Sequence, residues 1–259
     1  MGKFISFNKQ QALYVNFQEI NYSKNTDLTM IIAYPVTTPV ACLLFVHGGA
    51  WKGGDADMFR RHIGYATNFG FVGVSINYRL NNGDCDIRDG LKDCTEALFT
   101  VRRIIYEKYK KHLKIVALGD SAGGYYAVCL GSQKTLSLVN ENAKIVDFVV
   151  DFNGIVDLTG KWRYGINADD ETARKYSPLY NVTKGDAPVL IMHGDEDKTV
   201  DIADAFAYEK ALKEKGVECE TQIIRGAAHA FILFDYRRDN ELVAETLQFV
   251  MKKLKAICK

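Results

Sequence analysis

Apolar residues along the chain fall into short uninterrupted blocks, and these alternate with stretches of three- and four-residue periodicity. ACLLFVHGG (41–49) is a continuous apolar run ending in glycine, the pattern of a strand buried on both faces. FVGVSINYRL (71–80), LKIVALGDS (113–121), KIVDFVVDFNG (144–154), APVLIMHGDED (187–197) and ECETQIIRGAAH (218–229) are further predicted strands. QALYVNFQEINY (11–22) and LTMIIAYPV (28–36) are predicted strands that lead into the domain. Helices are predicted between them. DMFRRHIGYATNFG (57–70) ends at Gly70, and in 86–110 Ile87, Leu91, Cys94, Leu98, Val101 and Ile105 recur at helical steps. A helix begins at AGGYYAVCLGS (122–132), IADAFAYEKALKEKG (202–216) stops at Gly216, and NELVAETLQFVMKKLKAI (240–257) closes the chain.

Strands alternating with helices predict an α/β fold with a mostly parallel central sheet flanked by helices. Ligands of such sheets gather beyond the carboxyl ends of the strands. Here those ends carry His47-Gly48-Gly49, Tyr78-Arg79, Asp120-Ser121, Asn153-Gly154, Asp195 to Asp197, and His229. No repeat or linker interrupts the pattern, so 1–259 reads as a single domain. A short insertion at about 154–186 leaves room for at most a short lid.

Composition acts mainly by exclusion. The net charge is +1 and basic residues are scattered, which argues against a nucleic-acid groove. No apolar run approaches the ~20 residues of a membrane span. MGKFISFNKQQ lacks the apolar core of a secretory signal, so a cytoplasmic protein is expected. MGKFIS also fits the myristoylation pattern Met-Gly-x-x-x-Ser, without a polybasic segment beside it. None of the six cysteines forms a CxxC pair; Cys42 and Cys129 read as core residues, and Cys85 and Cys94 as reduced thiols.

The chemistry centres on Gly119-Asp120-Ser121-Ala122-Gly123, a G-x-S-x-G sequence between a predicted strand and a predicted helix. The competing reading is a glycine-rich turn with Ser121 as a helix N-cap. A serine hydroxyl needs a base to become nucleophilic. Of the five histidines, His47 and His193 precede glycines and read as loop formers, while His62 and His112 lie on charged helical stretches and read as solvated. His229, flanked by small residues after a late strand, is the predicted base. The orienting carboxylate is Asp197, with Asp195 as the fallback, and Asp120 reads as a structural neighbour of the serine turn. The order Ser121, Asp197, His229 is that of an α/β-hydrolase triad. His47-Gly48-Gly49-Ala50-Trp51 follows the first central strand, where glycines leave backbone N–H groups open to an oxyanion. The amide of Ala122 is a second source of donors.

These residues resemble the α/β-hydrolase superfamily, and most of all its serine esterases with an HGGxW oxyanion loop. That group includes hormone-sensitive-lipase-like carboxylesterases, small bacterial acetyl and feruloyl esterases, and kynurenine formamidase. The resemblance spans roughly 30–255 through HGGAW with Gly54-Asp55, SINYRL, GDSAGG, Ser177-Pro178, HGDEDKTV and GAAHAF. It implies the α/β-hydrolase fold, Ser121, Asp197 and His229 as triad, and Gly49, Ala50 and Ala122 as oxyanion amides. Two features depart from the lipase-like pattern. YRL is followed by NNGD instead of a proline-acidic continuation, and the 154–186 segment is short, which favours short acyl groups.

The expected activity is therefore a serine carboxylesterase acting on small acyl esters through an acyl-enzyme, without metal or organic cofactor. Analogy within the family extends this to acetylated sugars such as xylo-oligosaccharides. Trp51 and Tyr125 are expected to line the substrate as an aromatic wall, with Tyr126 a packing residue. Two other classes remain open: an amide hydrolase, such as an N-formylkynurenine formamidase or peptidase-like enzyme, and a non-catalytic binding module. The sequence leaves the oligomeric state open.

Overall fold

The computed structural model describes residues 15–23, 26–233 and 241–258. The myristoylation pattern and the first residues of the 11–22 strand lie outside them. Among the described residues eight strands form one sheet: β1 (Phe17–Asn21), β2 (Thr29–Ala33), β3 (Ala41–Val46), β4 (Phe71–Ile76), β5 (Ile115–Asp120), β6 (Phe148–Phe152), β7 (Val189–Gly194) and β8 (Cys219–Ile224). Their order is β1-β2-β4-β3-β5-β6-β7-β8. β1 and β2 are antiparallel additions at one edge, and every pairing from β4 through β8 is parallel. β3, β4, β5 and β7 are buried along their whole length, which is why they appear in the sequence as unbroken apolar runs.

Among the described residues seven α-helices accompany the sheet: α1 (Arg60–Thr67), α2 (Ile87–Tyr109), α3 (Ala122–Gly131), α4 (Gln133–Ser137), α5 (Asp170–Tyr176), α6 (Ile202–Glu214) and α7 (Glu241–Cys258). Alternate residues of a strand face opposite layers. Cys42, Leu44 and Val46 join the core beneath α2, α3 and α6, whereas Leu43 and Phe45 join the core beneath α1 and α7. α2 starts at a capping box in which Asp86 and Asp89 serve each other's backbone ends, and it stops at Lys110 in the left-handed region.

The predicted 57–70 helix divides into a 3-10 turn, Ala56–Phe59, and α1, because the Asp55 side chain takes the Asp57 amide and caps a tighter first turn. The predicted 218–229 strand ends at Ile224, where Gly226 turns the chain (φ +69°) and gives its N–H to Asp195. Residues 154–186 hold two 3-10 turns, Gly160–Gly165 and Pro178–Tyr180, on either side of α5. β3 is followed outward by β4, and β5 returns to its other side. The loops after β3 and β5 therefore leave the same end of the sheet as neighbours, at a switch point where α/β folds bind ligands.

Candidate active site

The turn after β5 is set by close packing. A methyl group on Gly119 would overlap the Gly123 carbonyl, and one on Gly123 would overlap the carbonyls of Val46 and His47. With both neighbours stripped to hydrogen, Ser121 takes φ 55° and ψ −117°, a conformation that costs a non-glycine residue roughly 1–3 kcal/mol. The surrounding structure holds it there. The Ser121 amide donates to the Phe152 carbonyl (3.0 Å), and the Ser121 carbonyl accepts from Tyr125 (3.1 Å).

His229 stands at the end of the turn after β8, with its Nε2 2.9 Å from Ser121 Oγ and its Nδ1 2.7 Å from Asp197 Oδ2. The three side chains thus form one hydrogen-bonded line drawn from β5, β7 and β8. Asp197 Oδ1 accepts the amides of Thr199 (2.7 Å) and Val200 (3.0 Å), which fixes the carboxylate before the histidine arrives. Burial opposes its charge, but the His229 hydrogen bond and charge and the two amides outweigh it and hold the carboxyl below its usual range. Asp195 is exposed and caps the Gly226 amide instead (2.6 Å), so of the two carboxylates it is Asp197 that meets the histidine. His193 is buried. Its Nε2 lies 3.0 Å from the Val200 carbonyl and 3.5 Å from Asp197 Oδ2, bracing the loop that carries the acid.

The loop after β3 supplies backbone donors. Gly49, Ala50 and Trp51 all have positive φ, and the loop folds back so that Lys52 and Gly53 donate to the Gly49 carbonyl. Among the described residues no backbone acceptor takes the amides of Gly49, Ala50 or Ala122. Gly48 packs so closely on the serine turn that an added Cβ would lie 2.6 Å from Asp120 Oδ2 and 3.3 Å from Ser121 Cβ. His47 holds the loop from beneath. Its ring stacks on Tyr78 at 4.3 Å, Tyr78 Oη donates to the His47 carbonyl (2.8 Å), and burial lowers the imidazole to about 4, so it stays neutral.

Three expectations need correction. Trp51 and Tyr125 do not form an open wall: both are fully buried, packed edge to face at 5.6 Å, and Tyr125 Oη donates to the Tyr176 carbonyl. They buttress the loop and the helix behind the serine. Tyr126, expected to be a packing residue, is indeed buried beside them. His62 is not solvated: it is 2% exposed, and its Nε2 lies 2.8 Å from the Ile232 carbonyl.

Asn153 stands in the sequence at a strand's carboxyl end, but nothing there assigns it a role. It is fully buried at the end of β6, its Nδ2 donates to Asp120 Oδ1 (3.2 Å), and it lies 3.4 Å from His229 Nδ1. Its positive φ of 42° at a strand end is a signal that only coordinates reveal. Beneath it, burial pushes the carboxyl of Asp120 up to about 6 and that of Asp151 up to about 7. Two further carboxyls thus sit under the serine turn with a weakened tendency to ionise.

The BD-FAE family model matches residues 30–212. Acylamino-acid-releasing enzyme of Arabidopsis thaliana is 27% identical over 205 residues, 71% of this chain and 27% of that protein. Lipase 2 of Moraxella sp. is 26% identical over 241 residues, 76% of this chain and 55% of that protein. The chain therefore spans between about a quarter and just over half the length of these two relatives. A thermophilic esterase of the planctomycete Thermogutta terrifontis, solved with butyrate bound, superposes with a TM-score of 0.80 at 27% identity, covering 93% of this chain and 94% of that one.

Proposed function

The chain belongs to the BD-FAE family and has an α/β-hydrolase fold, and on that premise we propose that it is a serine carboxylesterase whose acyl-enzyme forms on Ser121. The observation that carries the proposal is the unbroken line Ser121 Oγ–His229 Nε2 and His229 Nδ1–Asp197 at a strained strand-to-helix turn. His229 Nε2 takes the Ser121 proton as Oγ bonds to the ester carbonyl carbon, and the electron pair of the C=O bond moves onto oxygen. The amides of Gly49, Ala50 and Ala122, which no backbone acceptor among the described residues takes, receive that oxyanion. As the tetrahedral adduct collapses, the imidazolium gives its proton to the departing alkoxide, leaving an acyl-Ser121 ester. Water, deprotonated by the same nitrogen, attacks next and releases the acid. Asp197 keeps the proton on Nδ1 and offsets the imidazolium charge throughout.

The acyl group in this reading is short, which the bound butyrate of the Thermogutta esterase and the limited length of 154–186 both support. The alcohol portion is a carbohydrate, of the kind found in acetylated xylo-oligosaccharides. All six cysteines are free, which favours a reducing, cytoplasmic setting, and among the described residues no helix is long and apolar enough to cross a membrane. The test is Ser121→Ala on p-nitrophenyl acetate. Loss of roughly 10³-fold or more in kcat supports the reading, and retention of most activity by a pure variant refutes it.

A further inference from the structure

Phe99, Arg102, Arg103 and Tyr106 follow one another at steps of three and four, so they share a face of α2 beside its buried stripe. With Lys114, which leads into β5, and Lys144, which leads toward β6, that face walls a cavity of about 650 Å3. The volume lies within the roughly 300–1,000 Å3 of small-ligand sites. The walls are tied together. Arg102 gives its two terminal nitrogens to the carbonyls of Lys144 and Ile145 (both 2.7 Å), and Asp147 Oδ2 accepts the Ile115 amide (2.8 Å). Lys114 Nζ donates to the Ile257 carbonyl near the end of α7 (2.9 Å). Ile115 opens β5, whereas Ser121 follows its last residue, so the strand's length, about 20 Å, separates this cavity from the serine. The cavity belongs to the amino ends of the parallel strands and takes no part in the hydrolytic site.

Its charge is unbalanced. Elsewhere in the molecule arginines meet carboxylates: Arg60 with Asp57, Arg79 with Asp93, Arg88 with Asp86, and Arg163 with Asp170. Among the described residues none of Arg102, Arg103, Lys114 and Lys144 is ion-paired to a carboxylate, and the lining sets one acid, Asp147, against these four cations. Burial lowers the pKa of the Arg102 guanidinium, and the Asp147 charge offsets this only in part. Phe99 and Tyr106 keep 40% and 46% of their surface exposed, and the Tyr106 ring stacks on His112 at 4.7 Å. A surplus of positive charge in so small a space calls for a compact multiple anion, and phosphate groups fit arginine and lysine donors. The rings add a flat apolar surface that inorganic phosphate would leave unused. A fatty acid would bring a single charge and leave most of the surplus unmatched. A nucleoside phosphate meets both demands, because its base stacks on an aromatic face while its phosphates carry the charge.

We propose that this cavity is a nucleoside-phosphate site, with the phosphates among Arg103, Lys114 and Lys144 and the base against the Phe99 and Tyr106 face. The site stands independently of the esterase reading. Isothermal titration calorimetry with ADP, adenosine and pyrophosphate tests it in the wild type, in Arg103→Ala/Lys144→Ala and in Tyr106→Ala. All three side chains are exposed, so their truncation spares the fold, and a thermal melt at the wild-type temperature checks that it has. The expected result is one ADP per chain, bound roughly tenfold or more tighter than adenosine or pyrophosphate and weakened by added salt. That affinity should fall roughly tenfold in the double variant and roughly threefold in Tyr106→Ala. A wild type that binds no ADP at about 1 mM overturns the site. Pyrophosphate bound as tightly as ADP overturns the nucleoside assignment, and a hexaglutamate peptide bound as tightly overturns it in favour of an acidic protein segment. ADP affinity unchanged in folded variants places the ligand elsewhere and overturns the site as well.

Discussion

Replacing Asp197 by asparagine isolates the orienting role of the carboxylate. The side chain is fully buried, its Oδ1 holds the amides of Thr199 and Val200, and its Oδ2 faces His229 Nδ1 at 2.7 Å. An asparagine of the same shape keeps its oxygen on the two amides and turns its NH2 toward the ring. His229 Nδ1 must then accept, so the ring proton moves to Nε2, the nitrogen that must take the Ser121 proton. The base is present but in the wrong tautomer. In a triad that change costs roughly 10⁴ in kcat, or about 5.4 kcal/mol of transition-state stabilisation. The assay is kcat on p-nitrophenyl acetate at pH 7.5, with a thermal melt to establish that the variant is folded. Asp195→Asn is the internal control. Its carboxylate is exposed and accepts the Gly226 amide away from His229, so it should stay within a few fold of the wild type. The reasoning is refuted if folded Asp197→Asn keeps kcat within tenfold of the wild type, or if Asp195→Asn loses as much.

Two further predictions concern the support beneath the site. Burial raises Asp151 to about 7 from 3.8, so the folded state binds its proton more tightly than the unfolded chain; the stability this group contributes is present below pH ~4 and lost as pH rises through about 7. Asp151→Asn removes that titration, and its stability relative to the wild type should climb between pH 4 and pH 8 by up to about 4 kcal/mol in urea unfolding; a difference that is flat with pH would contradict the assignment. Gly123→Ala drives a methyl group into the Val46 and His47 carbonyls, and should cost roughly 1–3 kcal/mol together with most of the activity; a fully active variant of unchanged melting temperature would mean the turn is looser than its packing implies.

How legible all this was depends on whether a property is local. β3, β4, β5 and β7 are buried on both faces, and continuous apolar runs are the local imprint of that burial. The elbow was legible because its glycines are demanded by contacts that Ser121's own geometry creates. His62 was readable in principle, since it lies three residues from Phe59 and four from Ala66 on the buried stripe of its helix, but the charged neighbours Arg60 and Arg61 masked the stripe. The burial of Trp51 and Tyr125 was not readable. Whether an aromatic beside a site faces ligand or core depends on Trp162, Tyr164 and Gly165, more than a hundred residues from Trp51. The short helices and 3-10 turns of 154–186 leave too few periods to detect, and the role of Asn153 exists only as two distances, to Asp120 at the end of β5 and to His229 in the turn beyond β8.

The central claim is that Ser121 is a nucleophile activated by His229, and covalent labelling with a fluorophosphonate probe tests it most directly. The account predicts one phosphonyl adduct per chain, mapped by mass spectrometry to the peptide carrying Ser121, absent in Ser121→Ala and slowed by orders of magnitude in His229→Ala. An unlabelled folded wild type, or an adduct on a residue other than Ser121, would contradict it.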